Sequence, residues 1–218
     1  MPVTQNVLMQ AYHARKNILD MMHQTYSYDI RDYEGFSTNE VDAMLSSDQL
    51  DMLLTKTTEE VNQPIHKTYI KFSISADGKG NPVSRLNQII EDLYVLTDTL
   101  AKNDCLVMIY HGEPNDSLIA HLNYIYENSG IFAVVHNIKR LQFNILNHAL
   151  VPRADIMTPE EVELLYKTYH VKHSGQLPEI SRHDPQAMAL CLRPGQICRF
   201  YRKSPTAMET EYYRHCVT

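Results

Sequence analysis

Leu150-Val151-Pro152, Thr158-Pro159-Glu160-Glu161, Gln176-Leu177-Pro178-Glu179-Ile180 and Asp184-Pro185 follow one another in the last third of the 218-residue chain, ahead of Gln196-Ile197-Cys198-Arg199-Phe200-Tyr201-Arg202. Thr158 supplies an N-cap acceptor, Pro159 takes the first helical position, where no donor is missed, and Glu161 closes a capping box, so a helix starts at Pro159. Val162, Leu165, Tyr166 and Tyr169 then recur at three and four residues, giving one buried stripe. Lys167, His170 and Lys172 put positive charge where the helix should end, near His170. Pro178 holds Leu177 extended, leaving Leu177 and Ile180 on a non-helical segment. Asp184-Pro185 repeats the cap-then-proline start and predicts a short helix through Leu190. After the Arg193-Pro194-Gly195 turn, the β-branched and aromatic residues of 196–202 predict a strand. A loop from Lys203 to Ala207 leads to a second strand from about Glu211 to Val217. These elements make one small compact module without a recognisable catalytic centre, which points to assembly rather than chemistry.

The same residues, in the same order, resemble the C-terminal assembly domain of the fifth common subunit of eukaryotic RNA polymerases and of its archaeal counterpart. The resemblance is carried by Leu150-Val151-Pro152, Glu160-Glu161 with Leu164-Leu165 and Tyr169, Gln176-Leu177-Pro178 with Ile180, and Asp184-Pro185 with Ala187. It continues through Gly195-Gln196, the strand ending at Arg202-Lys203-Ser204, Thr206-Ala207 and Tyr213-Arg214. It spans about seventy residues; singly each motif is weak, and their order and spacing make the match specific. By resemblance, the assembly interface comprises Leu150, Val151, Pro152, Gln176, Leu177, Pro178, Ile180, Asp184, Pro185, Gly195, Arg202, Ser204, Thr206, Tyr213 and Arg214. The hairpin from Gln196 to Val217 and the segment from Gln176 to Ile180 are expected to offer exposed edges and apolar side chains to a partner. Aspartate at Leu177 or Ile197 should release the chain by placing an unpaired charge in packed apolar surroundings.

The chain also departs from the family pattern. Met188 and Ala189 stand where an arginine and an aromatic usually follow Ala187, and Cys191 stands where a glycine is usual. Pro205 replaces an acidic residue, Met208 replaces a glycine, and about one extra residue falls around Ser174-Gly175. Such changes bear on partner contacts rather than on the fold. They suggest a divergent copy, from a large DNA virus or an early-branching eukaryote.

Working backwards, residues 1–145 read as an α/β domain and 146–218 as a small α+β assembly domain. Val7, Ala11, Ala14, Ile18, Met21 and Met22 give the stretch from Asn6 to Gln24 a helical apolar face. Hydroxyl caps open helical pieces over Thr38–Leu45 and Ser47–Leu54, and Thr68–Ile74 alternates as a strand. Ser84 is expected to cap a helix to about Ala101; Cys105–Tyr110 and Ile131–Val135 read as buried strands. Between those strands, Asn115 caps a helix to about Asn128, and Gly130 follows it. This β-α-β-α-β order predicts parallel pairing with helices against the sheet. The layout looks like the family's N-terminal jaw domain, whose fold is similar to restriction endonucleases. The boundary is expected near Phe143–Asn147, where no Gly, Ser or Pro-rich linker appears.

Hydrophobic residues make up 44% of the sequence, enough to fill two modest cores. The N-terminal Met1-Pro2-Val3-Thr4-Gln5 lacks a signal-peptide pattern, and no apolar run approaches a spanning length. Cys105, Cys191, Cys198 and Cys216 are isolated in apolar settings, favouring reduced core residues over disulfides or zinc. Through Ile145 there are 11 basic and 18 acidic residues; the remainder has 9 and 8. A free-standing nucleic-acid binder neutralises phosphates with a positive face, and this acidic chain lacks that excess.

The endonuclease-like layout raises a rival reading, a stand-alone metal-dependent nuclease, which needs two or three carboxylates beside a lysine. Asp77-Gly78-Lys79 is the sole Asp-x-Lys of interest, and it lies between glycines in a turn-forming stretch. His170 and His173 have a helix-end setting that the dipole alone explains, while His111, His121, His136 and His148 show no ligand spacing. Ser204 has no nearby His and Asp, and no Gly-rich phosphate loop is present, so no cofactor, metal or small-molecule substrate is implied. Tyr26, Tyr28 and Tyr33 beside Arg31 invite base stacking, yet Asp29, Asp32 and Glu34 interrupt a basic groove, and a surface loop or partner contact fits better.

The resemblance thus implies a non-catalytic subunit that docks on the largest polymerase subunit, neighbours small ones and forms part of the lower jaw. Downstream double-stranded DNA would be met indirectly, through scattered cations such as Lys71, Lys79 and Arg85, with proximity imposed by the larger assembly. The place of action would be the nucleus if cellular, or the virion or host-cell cytoplasm if viral. A regulatory protein that borrows the assembly module is the other alternative.

Overall fold

The computed structural model describes residues 5–55, 67–74 and 81–218. They form two compact units that meet in sequence at Asn144 and Ile145. Both are mixed α/β, each with one four-stranded sheet.

In the first unit, helix α1 (Gln5–Tyr26) buries Ala11, Ala14, Ile18, Met21 and Met22, the stripe that its periodicity predicts. Asn17 Nδ2 donates to Leu141 O at 2.8 Å, tying the helix to a 3₁₀ turn over Ile138–Gln142. Helix α2 (Thr38–Ser46) opens on Ser37, whose capping box with Glu40 is complete. The sheet order is β1 (Met52–Thr55), β2 (Lys67–Ser73), β3 (Cys105–Tyr110), β4 (Phe132–Asn137). β2, β3 and β4 are parallel and β1 is an antiparallel edge. Helix α3 (Pro82–Glu91) and α4 (Asp116–Ser129) supply the crossovers. Leu86, Leu118 and Leu122 pack with Leu106, Met108 and Val135 on one face of the sheet. Cys105, Val107 and Ile109 alternate onto the other face and are equally buried.

Three expectations fail here. The helix expected over Ser47–Leu54 is a turn followed by β1, because Met52 and Leu54 bury at a period of two against β2. The helix expected from Ser84 to Ala101 starts earlier and ends earlier. Asn81 accepts from Val83 N and Pro82 takes the first position, so Ser84 lies inside α3; the chain then widens into a π turn, Asp92–Leu96. Thr97 N and Oγ1 both donate to Asp92 O, at 2.9 and 2.8 Å, which ends it. Finally, two tyrosines expected on a surface loop point inward: Tyr28 is fully buried and Tyr26, the last residue of α1, nearly so, while Arg31 and Asp32 beyond them are exposed. Tyr28 and Thr68 share a 3.0 Å hydroxyl contact against β2, which gives the phenol a partner in the core.

In the second unit the sheet order is β5 (Arg153–Ile156), β7 (Ile197–Ser204), β8 (Met208–Val217), β6 (Glu179–Ser181). β5 and β8 flank β7 antiparallel, and β6 runs parallel to the end of β8. Helix α5 (Pro159–Tyr169) has its full capping box on Thr158 and Glu161, and α6 (Pro185–Ala189) is capped by Asp184. Leu165 on α5 packs with Met157 and Ile197, whereas Ala187 and Leu190 pack with Cys198, Phe200 and Cys216. The sheet therefore carries a helix on each face. The hairpin turn is tighter than its loop-forming residues imply: only Pro205–Ala207 are outside the strands, and β8 starts at Met208. Among the described residues no helix is long and apolar enough to cross a membrane.

Candidate functional site

The fifteen residues assigned to an assembly interface fall into two sets. One set holds the module together. Ile180 is buried in the core, Asp184 Oδ1 accepts from Gln186 N at 2.9 Å, and Pro185 occupies the first turn of α6. Gly195 adopts φ +92°, a left-handed conformation that favours glycine, and its N–H donates to Cys216 O at 2.9 Å. Leu177 is half-buried with Val162 and Tyr166 beneath α5. Ser204 Oγ faces Thr206 Oγ1 at 3.3 Å and accepts from Thr206 N and Ala207 N, shaping the hairpin turn.

The other set reaches outward. Leu150 is 87% exposed, while Val151 and Pro152 are half-buried and Pro152 O is fixed by Gln186 Nε2 at 2.7 Å. Gln176 and Pro178 are exposed, and Pro178 O accepts from His215 N at 2.8 Å. Arg202 and Thr206 are exposed. Arg202 and Arg214 both lie over the Tyr212 ring, at 4.4 and 5.4 Å, and Arg214 Nη1 donates to Glu179 O at 3.1 Å. Tyr213 tilts against Tyr169 and donates its hydroxyl proton to Glu211; burial, and then Glu211, pushes its pKa up.

The expectation of exposed hairpin edges is met in part: β5 covers β7 over Cys198–Tyr201 and β6 covers the last three residues of β8, while among the described residues Met208–Arg214 has no outer ladder partner. Ile197 lies in packed apolar surroundings, as expected, because its strand position faces α5. Sequence reasoning passes over Tyr212, whose place between two arginines depends on the β7–β8 register, and Arg199, which reaches back to α5. Tyrosine and arginine two positions apart, Arg199 with Tyr201 and Tyr212 with Arg214, are the signal that the sequence carries.

In the first unit, Lys71 is not a scattered free cation. Its Nζ lies 2.6 Å from Asp51 Oδ2, and the same carboxylate accepts from Phe72 N and the Tyr69 hydroxyl. Burial, and then Asp51, pushes the Tyr69 phenol up to about 12. Arg85 is half-buried, with Nη1 3.5 Å from Ser73 Oγ. Asp77, Gly78 and Lys79 lie outside the described residues. Among the described residues no group of three or more His, Cys, Asp or Glu side chains is placed to hold a metal ion. His170 adopts a left-handed conformation as the C-cap of α5. All four cysteines are buried free thiols.

A family model described as RNA polymerase Rpb5, C-terminal domain, matches residues 143–216. The chain is 47% identical over 73 residues to DNA-directed RNA polymerase subunit Rpo5 of Thermococcus kodakarensis, a stretch covering 34% of this chain and 88% of that protein. It is 34% identical over 76 residues to the Rpo5 subunit of Methanococcoides burtonii, covering 35% of this chain and 96% of that one. The chain belongs to the Rpb5 family. Its Rpb5 C-terminal domain is thus the unit built on β5 to β8. Within it Cys191 and Met208 adopt φ +46° and +56°, a left-handed conformation that favours glycine.

Proposed function

We propose that this chain is a structural, non-catalytic subunit of a multisubunit DNA-directed RNA polymerase. Its C-terminal unit docks on the largest subunit, and its N-terminal unit, with a restriction-endonuclease-like layout, forms part of the lower jaw near downstream DNA. The observation that carries this reading is the family match over residues 143–216, which coincides with a unit capped and packed from its own residues. The parallel β2-β3-β4 arrangement with its helical crossovers supports the jaw assignment. The docking surface is drawn from the outward set, Leu150, Gln176, Pro178, Arg202 and Thr206, with the Arg202-Tyr212-Arg214 stack beside them. Neighbouring small subunits are further partners. Meeting DNA is imposed by the assembly, since the N-terminal part is acidic and Lys71 is matched by Asp51. The chain would act in the nucleus of a cell, or in the virion or host cytoplasm of a virus.

Native purification through a tag on this chain, with subunit masses measured, tests the reading. The two large polymerase subunits should be recovered in equal amounts. Recovery well below equal amounts would favour a regulator that borrows the module, and magnesium-dependent DNA cleavage by the purified chain would favour a nuclease. Leu150→Asp, at an exposed position, should reduce recovery of the large subunits while leaving the thermal melt unchanged.

A further inference from the structure

α1 presents Tyr12, Arg15, Lys16, Leu19 and Asp20 along one side, and with Tyr33–Phe36 and Val41 they line a cavity of about 340 Å³. Arg15 is only 4% exposed. Its Nη1 donates to Leu50 O at 2.9 Å, and the Tyr33 and Phe36 rings lie 5.8 and 5.2 Å from its guanidinium carbon. Its Nε has no hydrogen-bond partner, and among the described residues no carboxylate pairs with it. A guanidinium remains charged in a protein, and burying one beside a neutral carbonyl and two ring faces leaves its charge under-compensated. Lys16, Asp20 and Glu34 also line the cavity; Lys16 offsets one carboxylate and the other opposes a ligand of high negative charge, so a single carboxylate is a better match than a phosphate dianion.

We propose that this cavity is a carboxylate-binding pocket that receives an acidic side chain of a neighbouring polypeptide, with Arg15 as its ligand-binding group. The rings of Tyr12, Tyr33 and Phe36 would pack against the methylenes of that side chain, which favours a glutamate over a bare carboxylate ion. The pocket belongs to the first unit alone and stands whether or not the chain docks as proposed above.

The test is an NMR titration of the full chain that follows the Arg15 Nε–Hε signal. N-acetylglutamate N-methylamide should shift it saturably, and the glutamine analogue should not. In Arg15→Gln, followed through the backbone amides of the lining residues Gly35 and Val41, the blocked glutamate should cause no saturable shift. Because loss of a buried guanidinium can unfold the unit, Glu34→Gln provides a second variant at an exposed position. Removing that like charge should tighten binding about twofold to threefold. No shift up to about 50 mM, above the weak millimolar range, would overturn the pocket. An equal response to the glutamine analogue would overturn carboxylate recognition. Butyrate binding as tightly as the blocked glutamate would overturn the polypeptide assignment in favour of a free monocarboxylate.

Discussion

Arg199 on β7 donates from Nη2 to Glu161 Oε1 at 3.0 Å, while the other oxygen of the same carboxylate accepts from Thr158 N at 2.9 Å. One side chain thus closes the N-terminal cap of α5 and ties that helix to the central hairpin. Glu161→Ala should cost about 1 kcal/mol through the cap and a few tenths more through the partly exposed pair. Glu161→Gln keeps an acceptor for the cap and should cost less than half as much. Urea midpoints of the two variants check this, and equal losses would mean that the ion pair outweighs the cap.

The Tyr28 and Thr68 hydroxyls meet at 3.0 Å where neither side chain is exposed. Tyr28→Phe should destabilise the N-terminal unit by about 1–2 kcal/mol, since a buried hydroxyl loses its partner. Tyr28→Ala should cost about 3–5 kcal/mol by opening a cavity. A surface tyrosine would give changes near zero in both, so equilibrium unfolding separates the two placements cleanly.

Met208 is 88% exposed at φ +56°, whereas Cys191 is fully buried at φ +46°. Relief of the left-handed strain is worth about 1–2 kcal/mol, and extra freedom in the unfolded chain takes back about 0.4–1 kcal/mol. Met208→Gly should therefore raise the melting temperature. Cys191→Gly removes packed side-chain volume as well and should be neutral or destabilising. A lower melting temperature for Met208→Gly would contradict the strain argument.

His183 is held neutral: burial, and then Arg182, pushes its pKa from 6.5 down to about 4. A base that protonates more readily when unfolded stabilises the fold above its unfolded pKa and loses that contribution as pH falls. Stability of the C-terminal unit should accordingly decline between about pH 6.5 and 4, and His183→Gln should flatten that decline. Thermal melts of both proteins across this range would show it; parallel pH profiles would exclude His183 as a contributor.

Elements whose signals are local could be read from the residues alone. Asn115 accepts from Leu118 N and Gly130 takes the left-handed C-cap at φ +71°, so α4 lies where its punctuation puts it. The Thr158 and Asp184 caps work the same way. Elements defined by distant partners could not be read. β1 has four residues and β6 three, too short for periodicity, and each exists because a neighbour supplies its ladder. Tyr28 sits among polar residues and is buried by a contact forty positions away. The same limit applies to the candidate interface. The ordered motifs marked the right module, but inward Ile180 and Ile197 lie within paired strands, whereas outward Leu150 lies in a turn and Arg202 near the hairpin end of β7, a difference that only the fold sets.

The sheet order β5-β7-β8-β6 also sets a schedule for synthesis. Among the described residues β6 pairs only with β8 and β5 only with β7, so both emerge from the ribosome ahead of their partners. At roughly 5–20 residues per second, Ile180 and Leu190 would remain uncovered for seconds until residues 197–217 arrive. A nascent chain stalled ahead of Met208 would be a chaperone substrate, whereas the strands β2, β3 and β4, complete by Asn137, could already have closed.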